Sequence, residues 1–233
     1  MQRLTLATLL LLSLFSGLSV ASPVLLSAPS SGSVLNGQIE LLEDVGGKLS
    51  IADMADPAVQ SRFQPAAGRT SVGQSSNPWW IKLSLQRASD APAQWWLEVG
   101  AVTLLDLQIF LPSAPGQWQL RQAGERVGFA EGRDHDYRRA VFSLPPLSEQ
   151  PQTIYLRTYD PAGNSFPLRI WQLHDLEQLA KREHLVLGLI YGVILALLLY
   201  NLFILLALRD PTYLWYVLTM AASLIFIASM SGH

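Results

Sequence analysis

The chain has 233 residues, 50% of them hydrophobic and 15% charged, with a formal net charge of −2. This balance, with no Lys- or Arg-rich run, gives no electrostatic case for a nucleic-acid partner. Zero Cys excludes a disulfide framework, a thiolate metal site and a cysteine nucleophile.

Residues 1–21 predict an export signal: Arg3 makes a short basic start, Leu4–Val20 is apolar, and Ser19-Val20-Ala21 fits the small-x-small rule for cleavage after Ala21. An uncleaved anchor helix is the alternative, and in either case the domain after Ala21 is exported. Residues 22–37 are rich in Ser and Pro and read as a loose lead-in. Ile39–Leu42 reads as a short strand and Glu43–Gly47 as a turn. Ser50, supported by Asp53, caps an expected helix from Ile51 to Gln60, and residues 65–77 read as loop.

From Trp79 the apolar period becomes two. Ile81, Leu83 and Leu85 alternate with Lys82, Ser84 and Gln86; Trp95, Leu97 and Val99 alternate with Trp96 and Glu98. Leu105, Leu107, Ile109 and Leu111 do so against Asp106, Gln108 and Phe110. Residues 117–122 make a weaker strand, and RAVFSL, TIYLRTY and FPLRIW come after it, with turn sequences such as Pro112–Gly116 and Asp160–Asn164 between strands. Short strands with one apolar face each, and no helices between, predict a mainly β fold: an antiparallel β-sandwich of jelly-roll type over residues 38–171.

Residues 172–184 are helical by composition, with Leu173, Leu176 and Ala180 on one stripe. No Pro or Gly separates them from the uncharged run 185–208, which at about 1.5 Å per residue can cross a hydrocarbon core about 30 Å thick. Arg209-Asp210-Pro211 interrupts, and 212–230 is again apolar. The sandwich is therefore succeeded by a membrane α-helical hairpin, with one rod joining sandwich and membrane. The export signal puts the sandwich outside, in the periplasm of a bacterial inner membrane, where an exported domain need not carry cysteines. Lys181 and Arg182 outside, against Arg209 inside, mildly oppose the positive-inside bias, and the exported domain decides.

Seven Trp is a high number for this length. Trp80, Trp96, Phe110, Tyr155, Tyr159 and Trp171 fall opposite the aliphatic sets, where flat rings would stack on sugars or be covered by other parts of the chain or a dimer partner. The densest polar cluster is Gly132–Arg139. Arg138 and Arg139 there would fork onto an anionic ligand, and Asp134, His135 and Asp136 would approach a metal only with strain; the alternative is a solvated loop. Trp80, Trp96, Asp106, Tyr137, Arg138, Arg139 and Tyr159 are the candidate ligand-binding residues. No catalytic motif, metal set or cofactor motif is present, and Glu98 with Asp106 is not evidence for one.

IELLED, GGKLSIADM, FQP at Phe63, NPWWIKLSLQ at Asn77 and DLQIFLP at Asp106 precede a Gly-x-x-Tyr-Gly…Tyr-Asn-Leu-Phe pattern from Gly188 to Phe203 and a Leu-Arg-Asp-Pro-x-Tyr-Leu turn. In this combination the chain resembles the bacterial seven-transmembrane receptors with diverse intracellular signalling modules (7TMR-DISM), covering their second type of extracellular domain and first two membrane helices. The resemblance implies a sandwich like carbohydrate-binding modules, and seven helices leading to a kinase, cyclase or phosphatase. Such an output module would lie beyond His233, so the chain reads as a non-enzymatic fragment, and Asn201 and Ser223 are expected to seek interhelical partners. The expected function is ligand sensing and transmembrane signalling. The expected partners are a small carbohydrate or anionic molecule, the lipid bilayer, and a second copy or partner receptor. A ligand-free periplasmic scaffold is the alternative.

Overall fold

Alternation of apolar and polar residues becomes pleated sheet because successive side chains leave a strand on opposite faces. The computed structural model describes residues 22–100, 104–128, 134–135 and 137–230; the signal segment, and Gly132, Arg133 and Asp136 of the polar cluster, lie outside them. Among the described residues twelve strands form: β1 (Val24–Leu26), β2 (Ile39–Glu43), β3 (Gln64–Pro65), β4 (Ser71–Gly73), β5 (Trp79–Arg87), β6 (Trp96–Val99), β7 (Asp106–Ala114), β8 (Gln117–Ala123), β9 (Ala140–Ser143), β10 (Gln152–Tyr159), β11 (Asn164–Ser165) and β12 (Leu168–Trp171). The large sheet runs β3-β2-β5-β10-β7-β8, with β1 also on β5; β12-β6-β9 make a second sheet, and β11-β4 a small ribbon. All described ladders are antiparallel except β1 on β5. The inward sets of the two main sheets form one buried core, from Leu83, Ile109 and Leu156 on one side to Leu97, Phe142 and Ile170 on the other. Burying such a side chain fully is worth about 1.5–3 kcal/mol.

The outer faces of both sheets are covered too. On the large sheet, Leu42, Trp80, Phe110 and Tyr155 pack under Met54, Val59 and Phe63. The covering segment is two short helices rather than the single one expected. A 3₁₀ helix (Ile51–Ala55) opens on a reciprocal Ser50–Asp53 capping box, stops at Asp56 in extended conformation, and an α-turn (Pro57–Gln60) restarts with the Asp56 side chain accepting from Ala58 N–H. Pro57 explains the break, since a residue before proline is pushed out of the helical region.

The second departure is the lead-in. It is not loose. Val24–Leu26 adds a parallel strand to β5, Val34 bridges Arg169, and Gly32, at φ +82°, lies against the Trp171 ring, where a Cβ would stand 3.1 Å from the ring. Ser31 Oγ accepts from the Gln172 N–H at 3.1 Å, so the lead-in also caps the helix that starts there.

From Leu173 to Leu208 the chain is one unbroken helix. It ends where Arg209 turns left-handed (φ 54°) before Pro211, and Asp210 accepts from the Thr212 N–H at 2.9 Å to start the second helix, Thr212–Met230. Those hydrogen bonds hold the Asp210 carboxyl below the usual carboxylate range. Both helices are long and apolar enough to span a bilayer. Asn201, Thr219 and Ser223 do not reach across the hairpin. Each donates at 2.8 Å to a carbonyl one turn back on its own helix, which satisfies a polar group without a neighbour.

Candidate functional site

Two places on the sandwich concentrate chemistry. The first is the outer face of β12-β6-β9, which the start of the long helix covers. Leu176 and Ala180, one turn apart, pack on Trp171, Val141 and Tyr137, with Trp96 at the edge. Beside this apolar contact runs a chain of ion pairs. Glu98 of β6, 1% exposed, accepts from Trp171 Nε1 at 2.5 Å on one oxygen and from Arg139 at 2.7 Å on the other. Arg139 reaches on to Glu183 of the helix at 3.3 Å; Arg138 Nε stands 3.1 Å from the same carboxylate, and the Tyr137 hydroxyl donates to it at 2.8 Å. Burial opposes the Arg139 charge, but the Glu98 hydrogen bond and charge outweigh it, and its pKa rises above the ordinary arginine value. Burial, then the bond to Glu183, pushes the Tyr137 phenol well above its usual range, so it stays a donor.

The second place is a cavity of about 330 Å³ on the outer face of the large sheet, beyond the edge of the 3₁₀ and α-turn cover. Its floor is Asp106 of β7 with Arg157 and Tyr159 of β10, and Asp106 and Tyr159 are direct partners across the ladder. Gly46, Gly47 and Pro78 make one wall and Arg126 stands at the rim. Asp44, 1% exposed, lies behind. Its Oδ1 accepts from the N–H groups of Lys48 and Leu49, fixing the turn, while its Oδ2 faces Arg157 at 3.7 Å.

The seven candidate residues thus divide. Asp106 and Tyr159 meet in the cavity. Tyr137, Arg138 and Arg139 converge on Glu183 of the helix. Trp96 is half-buried, edge-on to His135 at 5.9 Å. Trp80 offers no face to a ligand: it is 0% exposed and stacked on Phe110 at 5.4 Å, so the flat exposed aromatic surface is replaced by a covered one. Asp134 pairs with Arg121 at 3.2 Å and accepts from the Ser143 N–H. Glu98 and Asp106 sit on different sheets. Sequence reading missed Arg157 and Arg126, whose only signal was a charge on the polar side of a strand and in a loop, and Glu98, which alternation set on the solvent side.

A β-sandwich whose outer face is clamped to a helix that runs on into an apolar helical hairpin defines a class: a domain outside the bilayer tied to a membrane region. The family can be stated more closely. Residues 36–172 match the family model described as 7TMR-DISM extracellular 2, and residues 183–233 match that of 7TM diverse intracellular signalling. The chain belongs to the 7TMR-DISM family. Among curated proteins, none matches it.

Proposed function

We propose that the sandwich lies in the periplasm, anchored in the bacterial inner membrane, and that it senses a small carbohydrate or anionic molecule. Binding favours one of two arrangements of the sandwich against the Leu173–Leu208 helix, and the helix carries the difference into the bilayer. The observation that carries this reading is continuity: the residues docked on the sandwich and those in the apolar span belong to one helix with no Gly or Pro at the boundary. A stiff element transmits a shift or rotation that a flexible linker would absorb. The family match supports a sensory rather than catalytic role. A ligand shifts the balance only by its difference in affinity for the two arrangements.

The test uses the full chain in lipid nanodiscs. With no native cysteine, spin labels at Gln119→Cys and Lys181→Cys report the distance between sandwich and helix. A panel of neutral sugars, uronic acids and cell-wall fragments is added. A changed distance distribution with a compound that binds supports the reading. An unchanged one with every compound that binds overturns it.

A further inference from the structure

The cavity beside Asp44 holds a cation, Arg157, that no described residue meets at full hydrogen-bond reach on its Nε. Arg157 lies on β10 inside the large sheet, its side chain 17% exposed. Among the described residues its buried Nε has no hydrogen-bond partner, and neither has the Asp44 Oδ2, which stands 3.7 Å from the Arg157 Nη2, beyond hydrogen-bond reach. A buried donor left unmade costs about 1–3 kcal/mol. Asp44 therefore neutralises the guanidinium without hydrogen-bonding it, and the part of the fork that lines the cavity is left for an incoming acceptor. Gly47, at the positive φ of +65° that favours glycine, lies against the fork: a Cβ there would be in ordinary contact, 3.6 Å from the Arg157 Nη2.

The rest of the lining narrows the acceptor. A planar fork suits a carboxylate, and exposed Arg126 adds a second positive charge at the rim. Asp106 and the buried Asp44 work against a multiply charged anion such as phosphate. The Asp106 carboxylate is an acceptor only, so it calls for a ligand with hydroxyl donors. The ring of Tyr159 next to it presents an apolar surface to C–H groups. About 330 Å³ lies at the small end of ligand sites.

We propose that this cavity binds an acidic monosaccharide, a polyhydroxylated ring with one carboxylate, with the carboxylate on Arg157 and Arg126 and a hydroxyl on Asp106. The assignment rests on the sensing reading and deepens it by naming the site and ligand class.

The experiment is calorimetry on the full chain in nanodiscs with glucuronate and galacturonate, set against glucose, inorganic phosphate and L-alanine. A uronate binds at least about tenfold more tightly than any of the other three. Arg157→Gln and Asp106→Asn each weaken uronate binding by about tenfold or more, the scale of a lost charge-assisted hydrogen bond. Arg126→Gln, an exposed change that leaves the sheet alone, weakens it several-fold and guards against misfolding of the Arg157 variant. Equal binding of glucose, tighter binding of phosphate or alanine, no uronate heat up to about 10 mM, or full affinity in Arg126→Gln and Asp106→Asn each overturns the assignment. Its failure is separable from failure of the sensing reading: no uronate binding, with another compound that binds and moves the spin-label distance, sinks the first alone, and uronate binding with a distance unchanged by every compound that binds sinks the second.

Discussion

Arg139 of the sandwich and Glu183 of the membrane helix stand 3.3 Å apart, and the same guanidinium holds Glu98 at 2.7 Å. One side chain thus joins a residue buried in the small sheet to the rod that enters the bilayer. Glu98 and Arg139 are 41 residues apart in sequence, and Arg139 and Glu183 are 44.

Glu183→Gln removes the carboxylate on which Tyr137, Arg138 and Arg139 converge, while Arg139 keeps Glu98. The expected cost is about 1–2 kcal/mol, confined to docking of the helix. Hydrogen exchange of backbone amides in 173–184 should speed up while that of β5 and β10 stays unchanged. Equal protection in both regions would count against the clamp.

Glu98→Gln has a larger effect because it leaves Arg139 and Trp171 around a neutral amide in a buried place. Loss of about 3–5 kcal/mol is expected from breaking one partner of such a pair. Replacing Glu98 and Arg139 together by Gln and Met should cost less than the two single changes summed, measured by denaturant unfolding of the full chain. Additive costs would show that the pair is not coupled.

Alkaline pH should undock the helix. The Tyr137 phenol has a raised pKa when folded, so its contribution is complete below the unfolded value of about 10 and is lost as pH rises beyond it. A spin-label distance between Gln119→Cys and Lys181→Cys therefore lengthens or broadens above about pH 10. Tyr137→Phe, which cannot ionise, should flatten that dependence while losing two hydrogen bonds, the one given to Glu183 and the one accepted from Arg139. A pH response identical in the Phe variant would exclude Tyr137 as its source.

Trp80→Ala should cost about 3–5 kcal/mol, since the ring is fully buried between Phe110 and the covering helices. Any ligand affinity retained by the folded fraction should be near normal, because the ring touches no open surface. A stability loss below about 1 kcal/mol with abolished sugar binding would restore Trp80 as a stacking platform.

Much of this architecture is legible in the residues alone. Alternation places Leu83, Leu97, Ile109, Leu156 and Ile170 in the core, where they lie, and uncharged length marks the two membrane helices. Long-range docking is not legible. Nothing in the local pattern says that Met54 and Phe63 fold back over Trp80, or that Arg139 draws Glu98 inward, because those pairings join segments with no shared periodicity. The lead-in misleads for a related reason: Ser and Pro suggest loop, but Val24–Leu26 needs only a free stretch of β5 to become a strand. Pro57 is a legible break that the helical composition around it obscures. In the cavity, Asp106 and Tyr159 are visible as polar-side residues, whereas Arg157 gains meaning only from the buried Asp44 beside it.

The absence of any break between Leu173 and Leu208 has a further consequence. The azimuth of the first span is locked to the sandwich by Leu176, Ala180 and Glu183, so the two are in phase. One residue inserted between His184 and Leu185 would turn the span by about 100° and raise it by about 1.5 Å. An insertion of seven residues, close to two whole turns, would nearly restore the azimuth. In a receptor of this build the length of the rod therefore sets the phase between sandwich and span.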